Sequence, residues 1–106
     1  MTDFSYLNVD NAYKLINQKV TKTPLVTNDY INNLLEAEIY FKLENLQNTG
    51  SFKLRGATHK ITKLIENVKD SGVVAYSSGN HAQAVAYASM INSISAKIIM
   101  PKTAPQ

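Results

Sequence analysis

Three strand-like runs alternate with two helical stretches in the second half of the chain, and this alternation constrains the fold most. EIYFKLE (residues 38–44) sets apolar Ile39, Phe41 and Leu43 between polar or amphipathic neighbours, the period-two mark of a strand. VVAYS (residues 73–77) and AKIIM (residues 96–100) are short apolar runs that read as buried strands. Between them, residues 51–68 line up Leu54, Ala57, Ile61, Leu64, Ile65 and Val68 as one helical stripe, and residues 80–91 read as an alanine-rich helix. Strand, helix, strand, helix, strand predicts an α/β fold with a parallel sheet. Such sheets are covered by helices on both faces and normally hold more than three strands. The expectation is therefore a chain incomplete as a folding unit, or one that finds its missing strands in a partner.

The first half predicts two short helices. Residues 8–18 place Val9, Ala12, Tyr13 and Ile16 at helical spacing, and residues 28–37 do the same with Ile31, Leu34 and Leu35 behind a Thr27 or Asn28 cap. Pro24 forces an extended path between them. At 106 residues there is room for one small domain at most. Net charge is +3, with ten scattered lysines and a single arginine, so no basic face points to nucleic acid. Cysteine is absent, which excludes disulfides and thiolate metal sites, and no carboxylates stand at ligand spacing around His59 and His81. No signal-like start and no membrane-length apolar run is visible, so the expected location is the cytoplasm.

Two loops carry the chemistry. TGSFKLRGA (residues 49–57) encloses Lys53 between Phe52 and Leu54. With Ser51 as a plausible N-cap, Lys53 falls in the first helical turn, where the partial positive charge of the helix end and two apolar neighbours favour a neutral amine. A neutral amine is what covalent catalysis at a carbonyl needs. The plain alternative is a lysine whose stem packs while its ammonium stays in water. YSSGNHAQA (residues 76–84) follows a strand and opens a helix, the place where α/β folds bind ligands. Its small polar residues leave N–H groups and hydroxyls for an anion, or simply make a capped turn.

Together the loops resemble a known family. KLENLQNTGSFKLRGA, then SSGNHAQAVA, then AKIIMPKTAPQ are similar to the start of the pyridoxal-phosphate enzymes of the tryptophan-synthase-like fold, in the branch of threonine/serine dehydratases and serine racemases. The resemblance runs from Lys22 onward. It implies a two-domain fold with parallel sheets flanked by helices, of which residues 1–70 are the first segment of the large domain and residues 71–106 the beginning of the small one. It implies pyridoxal 5'-phosphate as cofactor, covalently attached to Lys53, which also moves the substrate's alpha proton. Phe52 matches the ring beside the cofactor, and Asn80 the asparagine that hydrogen-bonds its phenolic oxygen. Ser77, Ser78, Gly79, Asn80 and His81 match the loop for the substrate carboxylate, and Ser78 the acid/base on the opposite face.

The implied activity is conversion of L-threonine (or L-serine) to a 2-oxo acid and ammonia, with serine racemase or hydroxyaspartate ammonia-lyase as alternatives. A homo-oligomer is implied for the full-length form, and no nucleic acid, membrane or metal partner. The family's glycine-rich phosphate loop lies beyond residue 106, so the 106-residue chain is expected to be inactive alone, with Lys53 and Asn80 on opposite walls of an interdomain cleft.

Overall fold

The computed structural model describes residues 5–104. Helix α1 (Tyr6–Ile16) starts where the Ser5 hydroxyl accepts a hydrogen bond from the Asn8 N–H, two residues earlier than its apolar spacing suggests. Pro24 then leads into β1 (Leu25–Val26), and Asn28 caps α2 (Asp29–Leu35) by accepting from the Ile31 N–H at 3.0 Å. Strand β2 (Phe41–Lys42) pairs antiparallel with β1, in the register Leu25 to Lys42 and Val26 to Phe41.

This pairing corrects the reading of residues 38–44 as a full strand of the parallel sheet. The backbone on either side of β2 is committed elsewhere. The Ile39 N–H donates to the Asn32 side chain at 2.9 Å, and the chain turns into a 3-10 turn at Glu44–Leu46.

Helix α3 (Lys53–Lys63) is followed by one further turn, α4 (Ile65–Val68), rather than running unbroken to Val68. Leu64 breaks it, with its N–H shared between the Lys60 and Ile61 carbonyls, a bifurcation typical of helix ends. Ser51 does not cap α3. Its hydroxyl is buried without a partner among the described residues, and Phe52 precedes the helix. Strand β3 (Val73–Tyr76), helix α5 (Asn80–Ile91) and strand β4 (Ala96–Ile99) form a βαβ unit with β3 and β4 parallel, Val73 beside Ala96 and Tyr76 beside Ile99.

The core lies where α3 meets α5. Leu54, Ala57 and Ile61 from α3 pack with Ala84, Val85 and Ala88 from α5, joined by Ile16, Val20 and Ile94. Residues on both sides of the turn at 70–72 thus belong to one cluster. The alanines of α5 let the two helices approach closely, with Leu54, Ala84 and Ala88 fully buried. Val73, Ala75 and Ile98 pack against this cluster from the sheet. The opposite sheet face is open. Val74 is 69% exposed and Tyr76 74%, so β3 is half-buried on one face only and not buried on both.

The start of α3 is fastened by the chain's one arginine. Arg55 grips Glu44 in a fork, Nε to Oε2 at 2.9 Å and Nη2 to Oε1 at 2.7 Å. The same guanidinium donates to the Thr21 carbonyl at 3.2 Å, and the Thr23 hydroxyl donates to Glu44. Gln47 adds a second tie, accepting from the Thr21 N–H at 2.8 Å and donating to the Thr21 carbonyl at 2.9 Å. Hydrogen bonds from Arg55, opposed by burial and aided by Thr23, hold the Glu44 carboxyl at about 2 against an ordinary 4.5. The Arg55 guanidinium is raised in turn by its bonds to Glu44.

Because the Glu44 value is depressed by folding, its contribution to stability is complete above pH 4.5 and is lost as pH falls toward 2. Urea unfolding at pH 7 and pH 3 should show this loss for the native sequence and little of it for Glu44→Gln. At pH 7 Glu44→Gln should itself cost about 2 kcal/mol. A second prediction concerns Gly72, which enters β3 with φ +74°, where an added Cβ would lie 2.6 Å from the Ser95 carbonyl oxygen. Gly72→Ala should cost about 2–3 kcal/mol in the same assay, since positive φ and the clash act together.

Candidate active site

Lys53 is the first residue of α3, and its side chain emerges beside the exposed ring of Phe52, with Nζ 5.2 Å from the ring centroid. That is cation–π distance. Successive residues on a helix diverge by about 100°. Leu54 therefore turns into the core while Phe52, 62% exposed, and Lys53 stay outside. The expected enclosure of the lysine between two apolar neighbours is thus corrected: only Phe52 accompanies it, and Lys53 is exposed.

The amine borders a cleft of about 640 Å³ between α3, β3 and α5. Phe52, Lys53 and Gly56 line it on one side, the strand from Val73 to Tyr76 along its floor, and His81 and Val85 on the other. Its walls are largely apolar, as a site for a planar organic group requires. An added Cβ on Gly56 would meet nothing within 4 Å, so the glycine leaves this wall open at a cost of about 1 kcal/mol of helix propensity relative to alanine.

The SSGN turn sits at the carboxyl end of β3, between Tyr76 and His81. The Ser77 N–H donates to the Ile99 carbonyl at 3.1 Å, which prolongs the parallel pairing by one residue, and the Ser77 hydroxyl accepts from the Gly79 N–H at 3.2 Å. Ser78, Gly79 and Asn80 are exposed, and α5 opens at Asn80 with no side-chain cap, so the N–H groups of its first turn remain available to an anion. Of the residues singled out in the sequence, the structure brings Phe52, Lys53 and His81 onto one cleft. Ser77, Ser78, Gly79 and Asn80 occupy the adjoining turn and do not line it.

Two further buried hydroxyls bear on the lysine loop. Thr49 Oγ1 and Ser51 Oγ, on either side of Gly50 at φ +68°, have no partner among the described residues. Each unpartnered hydroxyl costs about 1–3 kcal/mol. Sequence reasoning missed Tyr76 as a lining residue and missed the Glu44–Arg55 fork. No local pattern marks the fork, since its carboxylate stands eleven residues before the arginine.

A cofactor with an aldehyde and an aromatic ring fits the residues present. Lys53 supplies an accessible amine, Phe52 an exposed ring beside it, and the cleft an apolar wall. The phosphate is less well served, since the chain's four glycines are scattered at 50, 56, 72 and 79 and build no glycine-rich loop.

Comparison with known proteins agrees. Residues 16–106 match the family model described as pyridoxal-phosphate dependent enzyme. The chain is 45% identical over 105 residues to serine racemase of Dictyostelium discoideum, covering 99% of this chain and 32% of the racemase. It is 52% identical over 97 residues to the biosynthetic L-threonine dehydratase of Lactococcus lactis, covering 92% of this chain and 23% of that enzyme. A crystal structure of the Dictyostelium racemase superposes with a TM-score of 0.89 at 46% identity, over 94% of this chain and 33% of that one. The chain therefore spans a third or less of the length of these relatives and shares their fold over that part. With the family match covering most of its residues, the chain belongs to the pyridoxal-phosphate-dependent enzymes.

Proposed function

We propose that the chain is the N-terminal part of a threonine (serine) ammonia-lyase that converts L-threonine to 2-oxobutanoate and ammonia. The observation that carries this reading is the placement of Lys53 and Phe52 on one side of a cleft and His81, with the SSGN turn beside it, on the other. When bound, the cofactor supplies an electron sink for the carbanion formed at the substrate's alpha carbon. The protein's share is attachment, orientation and proton movement. Lys53 would be the residue that holds the aldehyde carbon, and its free amine would take the substrate's alpha proton at Nζ. Phe52 would lie beside the ring, and the Asn80 amide, in the adjoining turn, would be the donor to its phenolic oxygen. The N–H groups and hydroxyls of residues 77–81 hold the substrate carboxylate, which turns the alpha C–H bond toward Lys53.

Racemisation is the second reading. The similarity to serine racemase over nearly the whole chain favours it, and Ser78 would be the hydroxyl that returns a proton from the opposite face. Hydroxyaspartate elimination would use the same residues: L-threo-3-hydroxyaspartate ammonia-lyase of Saccharomyces cerevisiae is 45% identical over 101 residues, covering 95% of this chain and 31% of that enzyme. The isolated 106-residue chain should not turn over, because its described residues form no glycine-rich phosphate loop.

Pyridoxal phosphate added to the chain should give a visible absorption band that disappears in Lys53→Ala. A full-length protein carrying these residues should release 2-oxo acid from L-threonine, and Lys53→Ala should lower that rate at least about a thousandfold. Release of D-serine without 2-oxo acid would select the racemase reading. A band unchanged by Lys53→Ala would sink the assignment of the lysine.

A further inference from the structure

We infer that Arg55, through its fork on Glu44, is the positioning residue for Lys53: it fixes the first turn of α3 so that the lysine amine is presented into the cleft. The inference rests on the reading of Lys53 as the cofactor lysine and adds a residue that acts on it without touching the cofactor.

Helix α3 begins without the usual means of fixing a first turn. Phe52 makes no side-chain cap, and no acidic residue stands in that turn to meet the helix dipole. The nearest hydroxyl that could cap, on Ser51, is buried and unpartnered among the described residues. Upstream, Gly50 sits at positive φ, tied back by its N–H to the Gln47 carbonyl at 2.7 Å. Downstream, Gly56 weakens the same turn.

What fastens the turn is Arg55. Its own N–H donates to the Phe52 carbonyl at 3.2 Å, closing the turn that contains Lys53. Its guanidinium makes the fork to Glu44 and reaches the Thr21 carbonyl and, at 3.5 Å, the Thr23 hydroxyl. A planar fork fixes orientation as well as distance, which a lysine at this position could not do.

The geometry of the helix turns this grip into a direction. Residues two apart lie about 200° apart around the axis. Arg55 accordingly lines a second cleft, toward α1, while Lys53 lines the first. The protein holds the back of the turn, and the amine leaves from the front. Fraying at this point would leave the rest of the α3–α5 core in place, because Ala57 and Ile61 anchor the turns that follow. It would move the amine by ångströms, and displacements of about 1 Å are enough to cost catalysis about a hundredfold.

The test is competitive labelling of the 106-residue chain. Limiting pyridoxal phosphate is added, reductively trapped with borohydride, and the labelled lysines are mapped by peptide mass spectrometry. Lys60 is the internal control, since it lines the same cleft about two turns further along the same helix. The native chain should label Lys53 well above Lys60. In Arg55→Met and in Glu44→Gln the Lys53 to Lys60 ratio should fall about tenfold at a temperature where circular dichroism shows the fold intact. The swap of Glu44→Arg with Arg55→Glu should restore part of it. Should Arg55→Met fail to fold, Arg55→Lys, which keeps the charge but not the fork, must still lower the ratio. A native preference for Lys53 that survives in the folded variants overturns the positioning role and leaves the lysine assignment standing. No preference in the native chain overturns both.

Discussion

The Glu44–Arg55 ion pair is the constraint on which the site depends. It joins three pieces: the extended segment at residues 21–23, the 3-10 turn at Glu44–Leu46 and the first turn of α3. Neither partner is freely exposed, with side-chain accessibilities of 25% for Arg55 and 14% for Glu44. The pair therefore differs from the Lys14–Asp10 and Lys69–Glu66 pairs on the helix surfaces, which contribute a few tenths of a kcal/mol and fade with salt. Partial burial makes removal of one partner costly, because the other is left desolvated and alone. That cost keeps the turn before Lys53 in one conformation.

A second, independent layer holds the helices. Alanines on α5 admit close approach to α3, and at the far end Lys19 bridges Thr62 at 3.1 Å and Asn92 at 2.6 Å. The cleft thus lies beside a firmly packed pair of helices, with its open side toward the exposed face of β3. Val74, Tyr76 and Ile99 remain uncovered on that face, and a parallel sheet normally has a second layer there. The relatives, roughly three times as long, have the length for such a layer.

How much of this was legible in the sequence follows from the range of the forces involved. Local signals read well. Helix α5 begins at Asn80 and ends at Ile91 as its alanine-rich pattern implies, Asn28 caps α2, and Lys53 opens α3. Each depends on neighbours within a turn or two. The strand at residues 38–44 misled because apolar alternation carries no information about partners. The Asn32 side chain and the Arg55 guanidinium take the backbone and the carboxylate at its ends, leaving two residues to pair with Leu25–Val26. The break at Leu64 interrupts an apolar stripe that continues past it, so periodicity could not mark it. Side-chain ties across 11 or 73 residues, such as Glu44 to Arg55 or Lys19 to Asn92, lie outside any local pattern. The cleft itself needed the fold, because Phe52 and His81 are 29 positions apart and meet only through α3–α5 packing.

The division of the site also bears on how this chain could hold a cofactor. A phosphate dianion is normally retained by converging N–H groups, from a helix start or a run of glycines. Here the glycines are dispersed, and the free helix start, at Asn80, lies in the turn proposed for the substrate carboxylate. Covalent attachment at Lys53 would then have to provide most of the retention. In water that attachment is reversible, so its strength depends on how steadily the amine is offered and how well Phe52 covers the ring. Both residues sit in the turn fastened by Arg55. The influence of the Glu44–Arg55 pair on cofactor capture should follow from that shared turn.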